Sequence, residues 1–136
     1  MIFLTRREQF SAAHRMYRDD WTDKKNSEIF GKCSNPNWHG HNYILYVTVK
    51  GNISDELGFV MNLDKLKSIM RVKIIDKIDH KNINLDVEFM RGTIATTENL
   101  AVAIWNELKP EIETEGILLH CVKIQETDNN SIEYYG

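Results

Sequence analysis

Residues that staple or interrupt a fold are scarce in this chain: among 136 residues only Cys33, Cys121, Pro36 and Pro110 stand for their types. Two thiols cannot build a disulfide framework, and a chain of this length buries a core without one. No apolar run approaches the ~20 residues that cross a bilayer, so a membrane role is excluded from the expectation. The N-terminus lacks the order of basic, apolar and small residues that marks a secretory leader, which makes a reducing cytoplasm the expected compartment. Basic excess is missing too. A net charge of −3 and a pI near 5.9 argue against a general nucleic-acid binder. Within that balance the first 50 residues hold eight Lys/Arg against five Asp/Glu, and the remainder nine against fifteen. Solvated surface charge accounts for the asymmetry, and a small anionic ligand near the first half is the sharper alternative. Internal repeats, low-complexity tracts and linkers are also lacking, so residues 1–136 read as one α+β domain.

What is present centres on Cys33-Ser34-Asn35-Pro36-Asn37-Trp38-His39-Gly40-His41-Asn42-Tyr43, which runs into the β-branched and aromatic stretch ending near Lys50. Side chains alternate along a strand, so His39 and His41 share a face. Upstream, Ile2–His14 reads as a strand broken near Arg6-Arg7, with Phe10, Ala12 and His14 on one face. The polar stretch from Arg15 to Lys32 has neither period and reads as a long loop. The two strands pair as an antiparallel ribbon.

Downstream, Asn62 is placed to cap a helix whose apolar line is Leu63, Leu66, Ile69, Met70, Ile74 and Ile78. A polar loop, Asp79 to Leu85, follows. Thr96 or Thr97 caps a second helix lined by Leu100, Ile104 and Leu108, which Pro110 helps to end. Ile117–Glu126 returns to strand with Leu118, His120, Val122, Ile124 and Glu126 on one side, and Asp128-Asn129-Asn130 turns into a last strand, Ser131–Tyr135. The order is ββααββ: a four-stranded antiparallel sheet with two helices on one face. Its open edges make pairing between subunits physically reasonable.

His14, His39 and His41 offer neutral nitrogen donors, a ligand type suited to zinc, and three protein ligands leave a fourth position for water or substrate. His-Gly-His alone is a weak motif, and ordinary hydrogen-bonded histidines are the bland reading. Cys33 admits three roles: a fourth ligand closing a structural site, a reactive thiolate beside an open one, or an inert thiol. Cys121 reads as packing. Asp79-His80 reads on its own as a solvated helix end, and His120 as a core histidine. Glu126 is either a surface residue or a carboxylate able to accept two N–H donors from a flat heterocycle.

Taken together, Phe10–Arg15, Cys33–Tyr43, Met61-Asn62-Leu63, Asp79-His80-Lys81-Asn82, Thr96–Ala101 and Glu126–Asn130 resemble, in order over nearly the whole chain, the 6-pyruvoyl-tetrahydropterin synthase family. That family includes the 6-carboxy-tetrahydropterin synthases of queuosine biosynthesis. The resemblance implies a tunnelling fold (T-fold) subunit in a homohexamer of two stacked trimers, with active sites at subunit interfaces. It implies that His14, His39 and His41 hold Zn2+, that Cys33 is the general base, and that Asp79 and His80 of a neighbouring subunit form a proton relay. Glu126, helped by Thr96 and Thr97, would anchor the pterin of 7,8-dihydroneopterin triphosphate. The Cys33 to His39 spacing and the Glu-Thr-Asp-Asn-Asn ending resemble the pyruvoyl-forming branch, while Trp38 departs from the small residue common there. The alternatives are the carboxy-forming branch, which releases acetaldehyde, and a non-catalytic assembly domain with a closed site of Cys33 and the three histidines.

Overall fold

The computed structural model describes residues 1–113 and 116–136. Its framework is a five-stranded sheet in the order β3-β1-β2-β4-β5, one strand more than the sequence pattern predicts. β1 (Ile2–His14) and β2 (His39–Gly51) form the expected antiparallel ribbon, in a register that sets His14 opposite His39 and Ala12 opposite His41. β4 (Leu118–Thr127) pairs antiparallel with β2, and β5 (Asn130–Tyr134) pairs with β4. The extra strand is β3 (Lys81–Asn82), two residues running parallel to Ala12-Ala13. It is too short to leave a period-2 signature, and it lies within the stretch expected to be a loop.

Helices cover one face of the sheet. Asn62 caps α2 (Leu63–Met70) as its side chain accepts from the Asp64 and Lys65 amides. The turns run on through a π-helical segment, Arg71–Ile75, into α3 (Asp76–Ile78). Leu66, Met70, Ile74 and Ile78 are fully buried along it, while Leu63 is exposed because it precedes the part of the helix that reaches the sheet. A single turn, α4 (Ile83–Asp86), follows β3. α5 (Thr97–Ile112) buries Leu100, Ile104 and Leu108 as expected, together with Ala101, Trp105 and Ile112. Pro110 does not end it: the proline sits in the last turn, and the helix continues to Ile112.

Three further expectations change. The Arg15–Lys32 stretch contains α1 (Asp23–Phe30), capped by Thr22, and leads into a 3-10 turn, Gly31–Ser34. With Asn26 as its only buried residue, α1 lacks the apolar stripe by which a helix is recognised. β1 runs unbroken through Arg6-Arg7. In β4 a bulge opposite Thr48/Val49 sets Cys121 against Thr48 and Leu119 against Val49. The extra residue shifts the strand's phase. Leu119, Val122 and Ile124 therefore face the core, while Leu118 is exposed and His120 packs against Phe3 and Tyr135 on the uncovered face.

Glu8 explains why β1 tolerates its charged middle. Its carboxylate is buried on the helix-covered face between Arg6 Nη2 at 2.9 Å and Arg71 Nη2 at 3.1 Å, tying the strand to the helical segment. Removing one partner of such an arrangement leaves the others uncompensated, although both guanidinium groups reach solvent here and regain hydration. Glu8→Ala is expected to cost about 1–3 kcal/mol. A lower urea midpoint at unchanged slope would report it.

Candidate metal centre

The register of β1 and β2 brings the three histidines together. His39 and His41 project from the helix-covered face of β2, and His14 ends the same face of β1. Ring centroids lie 4.5 Å apart for His14–His39, 5.0 Å for His39–His41 and 5.2 Å for His14–His41. One ring nitrogen from each falls within 4.8 Å of the others. Between His39 and His41, Gly40 lets β2 lie close against β1, since a Cβ there would stand 3.1 Å from the Ala12 carbonyl oxygen.

The donor set fits a metal ion. His14 Nδ1 lies 2.7 Å from the Ala95 carbonyl, so it donates there and turns Nε2 toward the other rings as a lone-pair donor. His14 Nε2, both nitrogens of His39 and Nε2 of His41 are buried without hydrogen-bond partners among the described residues. Buried polar atoms are normally hydrogen-bonded, and a cluster of orphaned imidazole nitrogens is what a bound cation would satisfy. Burial is the main cause that lowers the pKa of His14 and of His39, and neighbouring imidazoles add to it. Both are therefore neutral near pH 7, as ligands must be.

Glu126 adjoins the cluster from β4, with Oε1 3.8 Å from His41 Nε2. Its other oxygen accepts a hydrogen bond from the Thr97 hydroxyl at the first turn of α5. Thr96 plays a different part: it is the cap, accepting from the Asn99 amide. A cavity of about 510 Å³ opens beside Thr97 and Glu126, bordered also by Met16, Glu98 and Asn129. A carboxylate with a free face at the wall of a cavity can accept paired N–H groups from a ligand.

Cys33 is half-buried in the Gly31–Ser34 turn and does not belong to the ligand cluster, which among the described residues consists of the three histidines. Backbone and arginine contacts fix its position. The Met16 amide donates to the Cys33 carbonyl at 2.8 Å, and Arg15 Nε to the Ser34 carbonyl at 2.7 Å. Asn35-Pro36-Asn37 then carries the chain to Trp38, whose φ of 67° lies in the left-handed region. The strand that ends in His14 and the thiol-bearing turn are thus joined at the residues just after that histidine.

Asp79 and His80 do not belong to the histidine cluster. Asp79 Oδ2 is 3.0 Å from His80 Nδ1, and Oδ1 accepts from the Ser11 amide at 2.9 Å. That amide, with His80 adding to it, holds the Asp79 carboxyl below its usual range. His80 adopts φ 61° and its side chain is 83% exposed. It borders a cavity with Ser11 and Asn42, which hydrogen-bond each other on the sheet face opposite the triad. The same cavity is lined by His41 as well, and the oriented acid–imidazole pair stands open to solvent beside it.

Ala95 and Tyr43 are the site residues that sequence reasoning missed. Ala95 acts through its carbonyl and leaves no side-chain signal. Tyr43 was open to detection, because counting two onward from His41 puts it on the same face.

The molecule has clear relatives. The family model described as 6-pyruvoyl tetrahydropterin synthase matches residues 3–136. The 6-pyruvoyl tetrahydrobiopterin synthase of Dictyostelium discoideum is 45% identical over 135 residues, covering 99% of this chain and 96% of its own. A 6-carboxy-5,6,7,8-tetrahydropterin synthase of Rickettsia typhi is 30% identical over 150 aligned positions, covering 98% and 99%. The solved structure of Caenorhabditis elegans 6-pyruvoyl tetrahydropterin synthase superposes with a TM-score of 0.92 at 39% identity, covering 99% of this chain and 95% of that one. The chain belongs to the 6-pyruvoyl tetrahydropterin synthase family and is a lyase of that pterin-processing kind.

Proposed function

We propose that this enzyme converts 7,8-dihydroneopterin triphosphate to 6-pyruvoyl-tetrahydropterin and triphosphate. The observation that carries the reading is the set of orphaned, buried imidazole nitrogens of His14, His39 and His41, with the Glu126 carboxylate 3.8 Å from one of them. Higher identity to pyruvoyl-forming than to carboxy-forming relatives supports the choice of branch.

His14, His39 and His41 would hold Zn2+, which supplies Lewis acidity toward the substrate's side-chain oxygens and so makes the adjacent C–H protons removable. Glu126, braced by Thr97, accepts N–H groups of the pterin and fixes its orientation. Cys33, as thiolate, takes the carbon-bound proton. His80 of a second copy, oriented by its own Asp79, exchanges protons with oxygen. Elimination of triphosphate and internal redox tautomerisation balance without an external oxidant or reductant. The need for a second copy agrees with the sheet's edges: β5 forms one, and on the other β3 pairs only with Ala12-Ala13 of β1 while Asp79 and His80 bond Ser11, leaving residues 2–10 open on that side. A homohexamer with interfacial sites satisfies both requirements.

Mass spectrometry after incubation with dihydroneopterin triphosphate and Mg2+, with and without reductant, tests the proposal. The pyruvoyl product should dominate. Acetaldehyde and 6-carboxy-tetrahydropterin as the main output would reassign the enzyme to the other branch.

A further inference from the structure

Tyr43 has no task in the mechanism above, yet it is placed as though it had one. Its phenol stacks on Phe10 at 4.9 Å and meets His41 and His14 edge-on at 5.5 and 6.0 Å. The residue is 0% exposed, and its hydroxyl has no hydrogen-bond partner among the described residues. Buried tyrosines ordinarily pair that hydroxyl. A phenylalanine would fill the same stack and leave no polar atom stranded, so packing alone does not account for a tyrosine here.

The neighbouring unpaired atoms indicate what the hydroxyl is for. Nε2 of His14, His39 and His41 are as buried as Tyr43 Oη and, among the described residues, equally without hydrogen-bond partners, and the rings of His14 and His41 adjoin the phenol. The imidazole nitrogens that face a cation present lone pairs, whereas Oη carries a proton. A proton donor beside the His14 and His41 rings can serve an oxygen held against them. A phenol keeps its proton near pH 7, so Oη is available as a donor.

We propose that Tyr43 is a further substrate-contacting residue, whose Oη–H donates to the side-chain oxygen of the pterin substrate that enters against the histidine triad. The assignment rests on the pterin-lyase reading and deepens it. As the C–H proton beside that oxygen leaves, negative charge grows on the oxygen, and a buried donor already in place strengthens its bond at that moment. An interaction of this kind acts on kcat more than on KM.

Tyr43→Phe tests it. The variant should keep its zinc content and melt at or above the wild-type temperature, because no structural hydrogen bond is lost. Its kcat should fall about 100-fold while KM stays within about twofold. Two unreactive probes supply a readout independent of turnover. The thermal shift induced by neopterin, which carries the hydroxylated side chain, should be smaller in the variant than in the wild type. The shift induced by 6-methylpterin, which lacks those hydroxyls, should be equal in both. A variant that responds and turns over like the wild type overturns the assignment alone. A lowered melting temperature with loss of zinc also overturns it, by making Oη structural. A wild type with no turnover and no shift from either pterin sinks the underlying reading and this assignment with it.

Discussion

Replacing Cys33 with alanine is expected to lower kcat by about 10²- to 10⁴-fold, the range spanned by a positioned general base, while zinc content, assembly and melting temperature stay at wild-type values. The two halves of this expectation have separate physical grounds. The thiol makes none of the bonds that shape its turn. Those are the Ser34 hydroxyl to the Gly31 carbonyl at 2.8 Å, the Asn35 amide to the Lys32 carbonyl at 3.2 Å and the Arg15 clamp on Ser34. Truncation to a methyl group leaves the backbone where it was. Nor does the sulfur stand in the cluster of metal-competent atoms, so the histidines lose no companion when it goes. What disappears is the one side chain of the turn able to become a nucleophilic base near neutral pH. Zinc analysis, size-exclusion chromatography and steady-state kinetics on the same preparation separate the outcomes. Zinc and turnover disappearing together would make Cys33 a ligand and restore the closed-site assembly domain, and full activity would assign the base elsewhere.

The parts of this site that lay open in the sequence are those set by strand alternation. His14, His39 and His41 converge because a period of two keeps each pair of neighbours on one face, and the ribbon's register does the rest. Glu126 was placed correctly on the core side of β4 only because the bulge lies upstream of Val122. The same count, carried back past that bulge, puts Leu118 and His120 on the wrong face. A bulge leaves no compositional mark here. β3 and α1 escaped for a related reason: two residues cannot show a period, and a helix with one buried residue has no stripe. The Ala95 carbonyl is invisible to any reading of side chains. Asp79-His80 was ambiguous because its exposure and left-handed backbone emerge only in three dimensions.

Loss of the metal should be the more severe lesion, and its pH dependence follows from the histidines themselves. His39→Ala removes the one triad member with both ring nitrogens unpartnered and buried. Second-shell changes alone weaken metal sites by about 10- to 100-fold, so deleting a direct ligand is expected to cost at least ~100-fold in zinc affinity, with turnover falling in step. Competition with a chromophoric chelator measures the first and product formation the second. Wild-type protein stripped by chelator should also melt lower than the loaded form, since a ligand present at about 1,000 times its Kd stabilises by about 4 kcal/mol. Acidification should act in the same direction. His14 and His39 titrate below the ordinary value of 6.5 when folded, chiefly because burial disfavours their charged forms. The unfolded chain takes up protons at these residues as the pH falls below about 6.5, and the folded chain does not until lower pH. Stability is therefore full above that value and declines beneath it, with protons competing against the metal for the same nitrogens. In His39→Ala the decline should be shallower, because one of the two depressed groups is gone. A wild-type melting temperature indifferent both to chelator and to pH between about 7 and 5 would leave the three orphaned imidazoles without the ion that their arrangement calls for.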